Sequence, residues 1–221
     1  MDIRITADQS DTLFSSKYGA HYHSVYGALE ESIHIYISAG LYHAYRSGKS
    51  KVSVFEMGFG TGLNSILTLI ESQKLGMDVD YVAVESDPVP QDVVAELNYP
   101  KLFPNQMFED FFHKMHQLSW DTSHKLTESF SLNKVQSKIE DTAFNKTFDI
   151  IYYDAFAPSC QPHLWEIDIQ QKLYSLLNKG GHLVTYCTQG AFRRNLESLG
   201  YLIEKLNGPG KKREMIRATK G

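Results

Sequence analysis

The chain has 221 residues, 42% of them hydrophobic and 22% charged, which suits one globular domain able to bury a substantial core. Its formal net charge of -4 argues against indiscriminate coating of nucleic acid, where affinity comes mainly from neutralised phosphates, yet leaves room for an RNA held by a local patch. Two cysteines without CxxC spacing, a polar start and no apolar run near roughly 18 residues argue against a disulfide framework, a signal-peptide core and a membrane helix, so a cytoplasmic protein is expected.

In chain order, residues 1–50 form a cap segment in which "GALEESIHIYISAGLYHAYRSG" reads as helical. From residue 51, short β-rich runs alternate with helical ones. "KVSVFEM" reads as a strand and "LNSILTLIESQKLG" as a helix that starts just past three glycines; "VDYVAVES" and "VPQDVVAELNY" repeat the pattern. Residues 99–129, rich in aromatics and histidines, read as a helical insertion. "SFSLNKVQ" and "FDIIYYDAF" follow as strands, then "HLWEIDIQQKLYSLLNKGG" as a helix ending at Gly180-Gly181. "HLVTYCT" reads as a strand, "AFRRNLESLG" as a helix, and the chain closes with a strand pair around the Gly208–Gly210 turn. Such alternation gives a mostly parallel sheet covered on both faces. The last two strands have no helix between them and should form an antiparallel hairpin.

The stretch "VFEMGFGTGLN" carries Gly58, Gly60 and Gly62 between the first strand and its helix. A dinucleotide fingerprint, G-x-G-x-x-G, would place its third glycine one residue later. Glu56, on the strand end, would repel a pyrophosphate but could accept a hydrogen bond from an amino-acid ammonium. Glu85, at the end of the second strand, can take both hydroxyls of a ribose. This combination fits S-adenosylmethionine better than NAD, with bare backbone approaching the adenosyl part. A plain turn would need one glycine, and three cost backbone entropy.

"YYDAFAPSCQPHLW" places Asp154 at the C-terminal end of an apolar strand, the edge where doubly wound sheets bind ligands. An Asp that merely caps the next loop is the plainer alternative. The functional one sets Asp154 near the transferred methyl, with Phe156, Pro158 and Trp165 shaping a stiff acceptor loop. His21 and His23 have a spacing that could suggest a metal, but no cysteine or paired acid lies nearby in sequence, so no metal is expected. Cys187 reads as a buried structural thiol.

Together "EMGFGTGLN", "DAFAP…LW", "GALEES" and "GPGKKREM" resemble the MnmC-type tRNA methyltransferase family, and more closely the methyltransferase half of its bifunctional members. The likeness runs from "DTLFSSKYGAHYHS" to "KREM". It implies a class I, Rossmann-like methyltransferase fold spanning 1–221 as a single domain: a seven-stranded, mostly parallel sheet with an antiparallel last strand. The implied reaction uses S-adenosylmethionine to convert 5-aminomethyl-2-thiouridine at the tRNA wobble position to 5-methylaminomethyl-2-thiouridine. No counterpart of the family's FAD-dependent half is recognised, so a methyltransferase acting without it is expected.

The resemblance adds Thr61 and Asn64, within the glycine motif, to the cofactor set. It implies that Tyr22, Ser24 and Glu31 close over cofactor or acceptor. Where the family often has an acid suited to the adenine amino group, "KVQSKIED" offers Ser137 and Lys138. With the tRNA anticodon region as implied partner, Arg193, Arg194, Lys211, Lys212 and Arg213 become candidates for phosphate contacts. Rival expectations are a polyamine-synthase-like aminopropyl transferase or another amine N-methyltransferase, and a non-catalytic RNA-binding module on the same fold. For the aminopropyl transferase, the sequence shows no obvious acidic cluster for a diamine.

Overall fold

The computed structural model describes residues 1–103, 106–210 and 213–221, with backbone only for Gln106. Strands β1 (Asp2–Ile5), β2 (Asp11–Ser15) and β3 (Ala20–His21) form a small antiparallel sheet ahead of the expected helix. These strands are too short for periodicity to reveal them. The Asp8 carboxylate shapes the β1–β2 turn, accepting from the Thr6 hydroxyl at 2.7 Å and the Ser10 N–H at 3.0 Å. Helix α1 follows as three continuous stretches, Ala28–Ser32, a π-helical Ile33–Leu41, and Tyr42–Arg46.

The remaining elements are β4 (Lys51–Met57), α2 (Leu63–Leu75), β5 (Asp78–Glu85), α3 (Gln91–Glu96), α4 (Gln106–Gln117), β6 (Ser123–Thr127), β7 (Phe130–Gln136), β8 (Phe148–Tyr153), α5 (Ile167–Leu176), β9 (Leu177–Thr185), α6 (Gly190–Ser198), β10 (Tyr201–Asn207) and β11 (Glu214–Lys220). Their order in the large sheet is β10-β11-β9-β8-β4-β5-β7-β6. β4 pairs in parallel with β5 and β8, β5 with β7, and β8 with β9. β11 runs antiparallel to both its neighbours, as the terminal hairpin requires. This is the class I methyltransferase architecture, with β6 added antiparallel at the edge of the expected seven strands.

Two boundaries differ from the sequence reading. Residues 99–129 are not helical throughout: a 3-10 turn at Tyr99–Leu102 and α4 give way to β6, whose "SHKLT" buries only Leu126 and lacks an apolar run. Helix α5 stops at Leu176, so Gly180-Gly181 lie inside β9 rather than ending a helix. Gly181 is needed for close approach, since a Cβ there would sit 2.9–3.1 Å from three backbone carbonyl oxygens.

The central strands are buried on both faces, which explains their unbroken apolar runs: Val54, Phe55, Ile150 and Ile151 are all fully buried. Each such side chain contributes about 1.5–3 kcal/mol on burial. The chain leaves β4 toward β5 on one side, while β8 flanks β4 on the other. Their C-terminal ends therefore diverge at a topological switch point, where open α/β sheets form ligand crevices.

Candidate active site

At the end of β4 the backbone crosses two neighbouring strand ends. The Gly58 N–H donates to Val84 O at 2.9 Å, and the Asp154 N–H donates to Met57 O at 3.1 Å. Gly58 adopts φ +94°, and a Cβ there would lie 2.7 Å from the Asp154 carbonyl oxygen. Only glycine permits both the conformation and the approach. Further along, the Gly60 N–H donates to Glu85 Oε2 at 3.0 Å, while the Asp87 N–H donates to Glu85 Oε1 at 2.8 Å. Burial raises the Glu85 pKa against the pull of these bonds.

A cavity of about 450 Å³ opens over this loop, within the range of small-molecule sites. Of the expected cofactor residues, Gly58, Gly60, Thr61, Asn64, Glu85 and Ser137 line it, with Met57, Val84 and Ile139 as apolar wall. Glu56 and Gly62 do not. Glu56 lies beneath the cavity, only 1% exposed, and its Oε1 accepts from Asn64 Nδ2 at 3.0 Å. The same amide nitrogen donates to Asp154 Oδ2 at 2.8 Å, so Asn64 bridges the two acids. Burial drives the Glu56 pKa well above the usual carboxylate range, with the Asn64 bond opposing it. The Asn64 oxygen faces away, buried without a protein hydrogen bond.

A second cavity of about 160 Å³ adjoins the first, sharing Tyr22, His23, Asp154, Ala155 and Phe156. Its other walls include Glu31, Tyr36 and Tyr186, and among the described residues no lysine or arginine lines it. Glu31 Oε2 accepts from the Ser24 N–H at 2.7 Å, and the Tyr186 hydroxyl donates to Ala155 O at 2.7 Å. Burial first, then the Asp154 charge, push the Tyr36 pKa far up, so this phenol stays neutral. Burial also holds His23 down to about 4, leaving it uncharged at neutral pH.

Phe156 stands between the cavities, its ring 4.7 Å from that of Tyr18 and 4.9 Å from that of Tyr22. Trp165 lines neither cavity. It stacks on Tyr153 at 4.5 Å and donates from Nε1 to Phe156 O at 2.7 Å, fixing the loop from behind. Pro158 and Ser24 also lie outside both linings. Arg193, on α6, sits 3.5 Å from Glu197, and Arg213 is exposed just before β11. Lys211 and Lys212 lie outside the described residues. Cys187 is buried, as expected of a structural thiol.

The sequence reading missed Tyr18, Tyr36, Tyr186 and Glu140, all of which line one of the two cavities. Tyr186 had a usable signal, since it directly follows the C-terminal end of β9. Among the described residues, no group of three or more His, Cys, Asp or Glu side chains could hold a metal, and no helix is long and apolar enough to cross a membrane. Chemically, the larger cavity offers a carboxylate for a diol and apolar walls for a flat ring. The smaller one offers two carboxylates within aromatic walls.

Known proteins resemble this chain in sequence and in fold. In Ralstonia nicotianae, the tRNA 5-methylaminomethyl-2-thiouridine biosynthesis bifunctional protein MnmC is 27% identical over 219 residues, covering 94% of this chain and 33% of the relative. The protein of the same name from Leptospira interrogans is 28% identical over 217 residues, covering 93% and 33%. The chain thus spans about a third of the length of these curated relatives. The crystal structure of MNMC2 from Aquifex aeolicus superposes with a TM-score of 0.83 at 23% identity, covering 99% of this chain and 70% of that one. A family model described as S-adenosyl-L-methionine-dependent methyltransferase matches residues 100–221, more than half of the sequence, and on that match this chain belongs to the S-adenosyl-L-methionine-dependent methyltransferases.

Proposed function

We propose that this chain methylates the amine of a 5-aminomethyl group on the wobble uridine of tRNA, holding S-adenosylmethionine in the larger cavity and the amine in the smaller. The observation that carries the proposal is the junction of the two cavities at Asp154, with Glu31 as a second carboxylate on the acceptor side. The names of the relatives, which concern tRNA 5-methylaminomethyl-2-thiouridine biosynthesis, support the same substrate. A tRNA substrate implies the cytosol as the working compartment.

The residues fit the cofactor. Glu85 can receive the ribose hydroxyls, and the bare backbone of Gly58 and Gly60 lines the same cavity. Ser137 and Ile139 would flank the adenine, and Glu140 supplies a carboxylate near the position where the family's acid is replaced by Ser137-Lys138. When bound, S-adenosylmethionine supplies a methyl group on a positive sulfur whose leaving group is neutral. The protein's main contribution is then alignment, which can supply about 7–11 kcal/mol.

Asp154 is set to orient the amine. An alkyl amine has a reference pKa of about 10.4, and nearby carboxylates stabilise its ammonium form further. Asp154 and Glu31 therefore capture the cation, and a proton must leave before the nitrogen can attack. Neutral His23, with its pKa near 4, is a poor base, and the proton can pass to water. The rings of Tyr22, Tyr36, Phe156 and Tyr186 wall the acceptor site and favour a cation over their faces. For the tRNA backbone, Arg194 and Arg213 are exposed candidates, while Arg193 is partly engaged by Glu197.

A diamine acceptor would also suit paired carboxylates, and the fold creates the acidic pair that the sequence did not display. One experiment separates the cases: labelled S-adenosylmethionine and tRNA from cells lacking the enzyme, followed by nucleoside mass analysis. Label on 5-aminomethyl-uridines, lost in Asp154→Ala, is the expected result. Near-normal turnover by that variant, or label elsewhere, refutes the proposal.

A further inference from the structure

The glycine loop is held from behind by residues that contribute nothing to either cavity. His116, near the end of α4, is 5% exposed, and its Nε2 lies 3.1 Å from Thr61 O. A carbonyl can only accept, so Nε2 carries the hydrogen and the ring donates. Burial keeps that ring neutral, holding His116 down to about 3. The contact is tight, because a Cβ on Gly62 would sit 2.8 Å from the same nitrogen. Gly62 has φ +74°, so glycine serves here both the turn into α2 and the approach of His116.

His116 is itself anchored. Lys134, on β7, is 1% exposed, and its ammonium donates to His116 O at 3.0 Å; Gln91 Nε2 donates to the same oxygen at 2.7 Å. That carbonyl belongs to the last turn of α4, where the helix end carries partial negative charge. The Lys134 nitrogen also stands 4.8 Å from the Trp120 ring centre and 5.6 Å from that of Phe59, within cation–π reach. A helix end and two ring faces thus surround the buried cation. Phe59 belongs to the glycine loop, and its ring lies 5.3 Å from that of His116.

From this chain of contacts we infer that His116, held by Lys134, is a positioning residue for cofactor binding: it fixes the Thr61 carbonyl and with it the backbone of the glycine loop. The insertion between β5 and β7 then serves as the rear support of the cofactor site. The inference rests on S-adenosylmethionine occupying the larger cavity.

The test is calorimetric titration of S-adenosylmethionine into the full chain and its variants. His116→Phe removes the donor and keeps a ring, His116→Gln keeps a donor, and Lys134→Met keeps the stem without the charge. His116→Phe and Lys134→Met should weaken binding at least tenfold, with His116→Gln within about threefold of the parent. In kinetics, KM for the cofactor should rise while kcat at saturation holds. Amide exchange between residues 58 and 64 should quicken in His116→Phe. Parent-like affinity in His116→Phe, or equal weakening in His116→Gln, overturns the inference. If His116→Phe does not fold, parent-like affinity in Lys134→Met overturns it instead. A parent chain that does not bind S-adenosylmethionine at all defeats the cofactor assignment itself, which is a separate outcome.

Discussion

Asn64 is the side chain whose loss should disturb the site most for the smallest change in volume. Its amide nitrogen donates to Glu56 Oε1 at 3.0 Å and to Asp154 Oδ2 at 2.8 Å, so Asn64→Leu leaves two acids facing each other without a shared donor. Hydrogen bonds to charged groups contribute about 1.5–3 kcal/mol each. The two losses will not add fully, because Glu56 is already pushed toward its neutral form by burial and leucine gains apolar contact. A destabilisation of about 3 kcal/mol is expected, read from urea unfolding with an unchanged m-value. Methyl transfer should fall more than tenfold, since Asp154 loses a side-chain anchor. Asn64→Asp sharpens the test. It puts a third carboxyl between the two and should be worse than the parent at pH 7. As pH falls toward 5, a proton shared among the three acids restores a donor, so its deficit should shrink. Asn64→Leu within 1 kcal/mol of the parent, with normal turnover, would show that the bridge does not hold Asp154.

Other consequences follow from neighbouring contacts. Gly58→Ala forces a side chain into φ +94° and to 2.7 Å from Asp154 O, so a loss of about 3 kcal/mol with weakened cofactor binding is expected by unfolding and calorimetry. Trp165→Phe removes the 2.7 Å bond to Phe156 O, and should cost about 1–2 kcal/mol while raising KM for the acceptor and leaving cofactor affinity alone. His182, 3% exposed beside Gly40 O at 3.1 Å, is held down to about 4 by burial, so it folds neutral. Its contribution is full above the unfolded value near 6.5 and is lost as pH drops through 4, by about 3 kcal/mol in all. His182→Gln should flatten that part of the stability–pH curve; an unchanged slope would count against a neutral buried ring.

The parts of the fold legible in the sequence were those where one force dominates. β4 and α2 stand out because an apolar run buried on both faces meets a glycine turn and then a helix. Glu85 and Asp154 stand out because strand ends at a switch point are where such sheets bind ligands. β6 was hidden because an edge strand exposes its face to water and needs no apolar alternation. Gly180-Gly181 misled, because a helix stop and a close backbone approach both ask for glycine. Tyr36 was hidden in α1, where an apolar and aromatic stretch reads simply as core, and only the packing of α1 over β8 turns its hydroxyl toward Asp154.

Lys134 shows how a legible pattern can still be read past. In "FSLNKVQ", strand periodicity puts Phe130, Leu132 and Lys134 on one face, and all three are buried. A lysine in the apolar register of a strand needs an electron-rich partner inside the protein, because burying an ammonium without compensation is costly. Carbonyl groups and aromatic faces can both serve as such partners. The structure supplies both, the His116 carbonyl and the ring of Trp120, each from the insertion whose role the sequence left open. An out-of-place charge on an otherwise apolar face thus marks where a distant element must dock, and here that element leads to the glycine loop.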